Sequence, residues 1–86
     1  MIAESIKKDV RAELLHCESR RDVRRTIALA QKDFQERSVP LYRRQEVLKD
    51  IRSHLKEWID RESDPKSADL VLEGQMAIDA LLVGNS

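Results

Sequence analysis

Apolar residues recur every three or four positions from the first residues onward. With Ile2 set at zero and about 100° per residue, Ile6, Val10, Leu14 and Cys17 fall at about 40°, 80°, 120° and 60°, one stripe of an amphipathic helix. A second stripe follows, with Val23, Ile27, Ala30 and Phe34 at about 300°, 340°, 280° and 320° in the same frame. It is turned by about 110° from the first. Between the stripes stands "CESRRDVRRTIALAQKDF" (residues 17–34), in which Arg20, Arg21, Arg24 and Arg25 fall at about 0°, 100°, 40° and 140°. On a continuous helix these arginines would prolong the face that is apolar at the start.

Two structures remove that conflict. In one, the chain breaks near residues 17–22, where Ser19 and Asp22 fit a Ser-x-x-Asp cap, and the arginines face water. In the other, the helix runs on for about 50 Å and outreaches its own short partners, so a second chain packs against it. The sequence leaves both open.

Downstream the pattern is plainer. Leu41, Val47, Leu48, Ile51, Leu55, Trp58 and Ile59 form a stripe with steps of three and four. Ala68, Leu70, Val71, Leu72, Met76, Ile78, Leu81 and Leu82 cover more than half a helix circumference, so that helix is expected to be the most buried or to meet a partner. Ser38 as a cap with Pro40 in a first turn, Asp64 with Pro65, and Gly84 as a stop punctuate the chain. No segment alternates with period two. The expectation is one all-α domain over residues 1–86, a bundle of three to four helices near 3–36, 41–62 and 66–83, able to form a homodimer.

Composition narrows the class. Hydrophobic residues at 41% and charged residues at 37% are too apolar for a disordered tail and too charged for a membrane protein. No apolar run approaches the ~20 residues that span a bilayer, and Lys7, Lys8 and Asp9 interrupt the N-terminal apolar stretch. A cytoplasmic protein without membrane attachment is expected. One cysteine excludes an intrachain disulfide, and Cys17 with the separated His16 and His54 gives no zinc-ligand spacing. No metal, cofactor or catalytic residue is expected.

Charge is balanced in sum but not in place. Residues 19–56 carry eleven basic and five acidic side chains, net +6, whereas residues 57–86 carry two and seven, net −5. The two regions can pair within one molecule or across a dimer. For nucleic acid, Arg20, Arg21, Arg24, Arg25, Arg43 and Arg44 would be the grip, but three aromatics, two of them in core stripes, make no stacking platform. The plain alternative is a solvated helix face with Glu18–Arg21 and Asp22–Arg25 pairs.

The stretches "AELLHCESRRDVRRTIALAQK" and "KDFQERSVPLYRRQEVLKDI" resemble, in layout, the small all-helical chorismate mutases. That resemblance implies an enzyme whose Arg21, Lys32 and Arg44 converge on a dicarboxylate substrate. The chain departs from the family pattern at Glu4, where an arginine is expected, and at Gln45, which separates Arg44 from Glu46. It departs again at Asp79, which stands in place of a glutamine.

The reading that uses most of these features is a non-enzymatic interaction protein. It would be a regulatory inhibitor, anti-activator or adaptor that docks on a larger protein regulator. Its apolar contacts would be Leu70, Leu72, Met76, Leu81 and Trp58, and its basic ones the six arginines. Nucleic-acid binding is the first alternative, and the mutase-like enzyme is remote.

Overall fold

The computed structural model of the chain describes residues 2–59 and 65–84. Four helices account for nearly all of them: α1 (Ile2–Leu14), α2 (Arg20–Glu36), α3 (Leu41–Ile59) and α4 (Lys66–Gly84). The expected residues 60–62 of the third helix and Asp64 lie outside the described residues.

The first helix is broken, which settles the phase conflict. Leu15 and His16 still bond back to Arg11 and Glu13, and the chain then leaves the helix through residues 17–19. Ser19 adopts extended backbone (φ −136°, ψ 162°), and its Oγ accepts the Asp22 N–H at 3.2 Å. The Asp22 carboxylate reaches back to the Glu18 N–H at 3.2 Å, one residue before the cap, so the reciprocal cap is shifted by one position. The break lets both stripes turn to one core. Ile6, Val10, Leu14 and Cys17 are buried together with Val23, Ile27, Ala30 and Phe34.

The other end of α2 corrects a sequence expectation. Ser38 does not cap the following helix. It sits in the left-handed region (φ 54°) and terminates α2. The Val39 N–H bonds to Phe34 O at 2.9 Å and the Ser38 N–H to Gln35 O at 3.2 Å, with Val39 and Phe34 both buried. This is the Schellman pattern, made with a serine where glycine is the usual residue. Pro40 then opens α3 by accepting the Arg43 and Arg44 N–H groups. Gly84 is the last described residue of α4; it is still helical and takes no left-handed conformation.

Side-chain pairs fix the directions. Ala3 lies beside Val39 and Arg43, Lys7 pairs with Asp50, and Arg11 stacks over Trp58 at 5.7 Å, so α1 and α3 run parallel. Arg52 meets Asp79, while Lys56 lies beside Leu72, so α3 and α4 run antiparallel. Around the bundle the order is α1, α2, α4, α3, with α1–α2 and α3–α4 as antiparallel pairs. Ile6, Leu14, Phe34, Leu48, Ile51, Leu55 and Ile78 are wholly enclosed at its centre.

Candidate docking face

The expectation that α4 is the most buried helix does not hold. Its inward positions are Ser67, Leu70, Gly74 and Ile78. A Cβ built on Gly74 would stand 3.0 Å from Leu55 Cδ1 and 3.4 Å from Val23 Cγ1. The missing side chain is therefore what lets α4 sit close to α2 and α3. Val71, Ala77, Leu81 and Leu82 pack partly against the core from the sides.

Three further apolar residues point the other way. Leu72, Met76 and Val83 are 55%, 58% and 75% exposed. With steps of four and seven they fall within about 40° of one another on the outer side of α4. Sequence reasoning named Leu72 and Met76 but missed Val83, although the spacing of four and seven was there to be read. It also placed Leu70 and Trp58 among the contact residues. Both are core: Leu70 is 5% exposed, and Trp58, at 8%, stacks on His54 with ring centres 5.3 Å apart. Leu81 is half-buried, so of the five expected apolar contacts Leu72 and Met76 stand clear of the core.

Ion pairs edge the face on both sides. On the α2 side Arg24 Nε meets Glu73 Oε1 at 3.0 Å. On the α3 side Arg52 holds Asp79 through two bonds, Nε–Oδ1 at 2.8 Å and Nη2–Oδ2 at 3.2 Å, and the carboxylate raises the pKa of the guanidinium further. The basic middle and acidic end of the chain thus meet within one molecule. Arg20 precedes Arg24 by one turn on the same side of α2, and Lys56 follows Arg52 by one turn on α3. Lys56 also borders a groove of about 420 Å³ floored by Ala68, Val71 and Leu72.

The six arginines do not form one face. Arg20 and Arg24 lie toward α4, and Arg21 points outward. Arg25 shares a groove between α1 and α2 with four carboxylates, those of Asp9, Glu13, Asp22 and Asp33. Arg43 pairs with Glu46 at 2.9 Å, and the Arg44 Nε–H donates to Val39 O at 2.7 Å. These last two belong to the far end of α2, because the eleven residues from Arg25 to Glu36 span about 16 Å of helix. The expected Glu18–Arg21 and Asp22–Arg25 pairs do not form. Asp22 is engaged in the cap, and Arg24 reaches across to α4 instead.

The remaining chemical candidates are structural. Cys17 is buried, its Sγ donating to Glu13 O at 3.4 Å and lying 3.5 Å from Thr26 Oγ1. His54 Nδ1 lies 2.8 Å from Asp50 O, within its own helix. Among the described residues, no group of three His, Cys, Asp or Glu could hold a metal ion, and no helix is long and apolar enough to cross a membrane. Arg21 and Lys32 are exposed on α2, and Arg44 is tied to the loop before α3. None of the three lines any of the five principal surface grooves.

No protein-family model, curated protein or solved structure matches this chain. The functional reading therefore rests on the outer face of α4 and its charged borders.

Proposed function

We propose that this protein is a non-enzymatic interaction module that binds another protein through the outer face of α4, as a regulatory inhibitor, anti-activator or adaptor does. The observation that carries the reading is the alignment of Leu72, Met76 and Val83, all more than half exposed, on the side of α4 opposite the buried Ser67, Leu70, Gly74 and Ile78. Single exposed apolar residues are ordinary, whereas three in register on one helix face, with Asp79 between Met76 and Val83, make a strip suited to a partner. Ion pairs at both edges give such a strip the apolar centre and polar rim of a docking surface.

The test is capture of partners by the tagged protein from its native extract, with and without nuclease, beside a Met76→Glu variant. Recovery of one protein in both nuclease arms, lost with Met76→Glu while the helical circular dichroism and Tm are kept, is the expected result. Recovery that ignores Met76→Glu would overturn the reading. A second reading, nucleic-acid binding, draws on Arg20 and Arg21, which are exposed at the start of α2 with no carboxylate within ion-pair distance among the described residues. It requires recovery that disappears with nuclease and weakens steeply with salt.

A further inference from the structure

We infer that the occupant of the α4 face is an amphipathic helix with acidic flanks; the inference rests on the docking reading above. The strip from Leu72 to Val83 is one helix wide and about 16 Å long. Its anchors repeat at steps of four and seven, the spacing by which one helix lies along another. The chemistry beside it selects the flanks. Arg24 borders its first half on α2, with Arg20 one turn before it on the same side of that helix, and Lys56 and Arg52 border it on α3. Glu73 and Asp79 each neutralise one of the four, leaving Arg20 and Lys56 without a carboxylate in ion-pair distance among the described residues. The remaining carboxylate on the outer side of α4 is Asp69, near the start of the strip.

The position of the arginines adds a second argument. Arg20 and Arg21 are the first two residues of α2. There they face the positive end of the helix dipole, an unfavourable place for a cation. Carboxylates arriving from a partner relieve that repulsion.

A second copy of the chain fits less well. In a parallel pairing it would set these cations against their own kind. The three apolar side chains expose on the order of 300 Å², within the range of patches found on monomers, whereas a stable dimer needs ~800 Å² from each partner. A polynucleotide would use the cations but leave Leu72, Met76 and Val83 uncovered.

The experiment titrates the full chain with two labelled helical peptides of about five turns. Both carry leucines at steps of four and seven, one with glutamate flanks and one with lysine flanks. Fluorescence anisotropy is read at low and moderate salt. We expect the glutamate-flanked peptide to bind about tenfold tighter or better, with that preference narrowing as salt rises. Met76→Glu should weaken it about tenfold, and Arg20→Glu with Lys56→Glu should reverse the preference. Circular dichroism establishes that each variant is folded.

Equal binding of the two peptides would overturn the acidic-flank inference while leaving α4 as a docking face. Absence of binding, in a protein whose cellular capture is still lost with Met76→Glu, would do the same. Sedimentation showing a dimer that Met76→Glu dissolves would make the occupant a second copy and overturn the inference. Displacement of the glutamate peptide by an oligonucleotide, dependent on Arg20 but not on Met76, would overturn both readings.

Discussion

α2 and α4 pack side by side and divide their apolar residues differently. In α2 the inner face is the apolar face: Val23, Ile27, Ala30 and Phe34 are buried, and the outer positions include Arg21 and Lys32. In α4 the inner face holds Leu70 and Ile78 beside Ser67 and Gly74, and the outer face also holds Leu72, Met76 and Val83. Apolar residues thus stand on both sides of α4, with the carboxylates of Asp69 and Asp79 on the outer one. Gly74 sets how closely the inner side approaches, because Leu55 and Val23 already fill the room that a side chain at position 74 would need. A helix with apolar residues on both sides buries one set and keeps the other available, and that separates a helix that completes a core from one that also presents a surface.

The sharpest way to break this comparison is to truncate one residue on each side of α4. Ile78 is fully enclosed, so Ile78→Ala should cost about 3–4 kcal/mol in urea unfolding, the transfer loss plus the cavity left behind. Met76→Ala should stay within about 0.5 kcal/mol of wild type, as an exposed substitution does. Equal costs at the two positions would mean that the outer face is covered in solution, by a second copy or another part of the chain.

Gly74→Val tests how closely the inner side of α4 approaches. Its Cβ alone would need Leu55 to yield by a few tenths of an ångström, and the added methyls need more. Overpacking of this kind should destabilise by about 2 kcal/mol. Pairing it with Leu55→Ala should recover part of that loss, since the two share one space. A Gly74→Val protein as stable as wild type would refute the close approach of α4 to Leu55 and Val23 at this position.

These contrasts also mark what could be read in the sequence. The break before α2 was legible because Ser19 and Asp22 carry capping chemistry and the two stripes are out of phase. The third helix was legible from its strict steps of three and four. The orientation of α4 was not, because apolar residues cover most of its circumference and a periodicity argument cannot rank faces that are all apolar. The fold adds what the pattern lacks, the clearance around Gly74, which depends on Leu55 and Val23, residues distant in the chain. For the same reason Leu70 and Trp58 could not be separated from Leu72 and Met76 as surface residues. The meeting of Arg24 with Glu73 and Arg52 with Asp79 was foreshadowed by the charge asymmetry, but only the fold selects these pairs.

The two ends of α2 offer a smaller contrast. Ser19 gives its helix a good cap, and Ser19→Ala should cost about 1 kcal/mol. Ser38 holds a left-handed conformation that suits glycine better, so Ser38→Gly should stabilise by about 0.5–1 kcal/mol. Thermal unfolding of the two single variants checks both signs at once. If Ser38→Gly lowers Tm, the left-handed turn after α2 is not the conformation in solution.

The smallest effect separates the seams that hold α1 and α4. The α4 seams use guanidinium groups, Arg24 to Glu73 and Arg52 to Asp79, and these keep their charge at any pH a folded protein withstands. The α1–α3 seam uses an amine. Lys7 bonds to Asp50, and that hydrogen bond lifts its pKa above the usual lysine value of 10.5. A group whose pKa is raised on folding adds stability in full below its unfolded value and loses it as pH climbs through its folded value. The contribution of Lys7 should therefore be constant up to about pH 10 and fade above 10.5. Lys7→Met removes it throughout. The gap in Tm between wild type and Lys7→Met should accordingly be steady near neutrality and close at alkaline pH, whereas the gap between wild type and Arg52→Met should not move. A Lys7 gap that stays open beyond the lysine titration would assign its effect to packing of the aliphatic stem rather than to the ion pair.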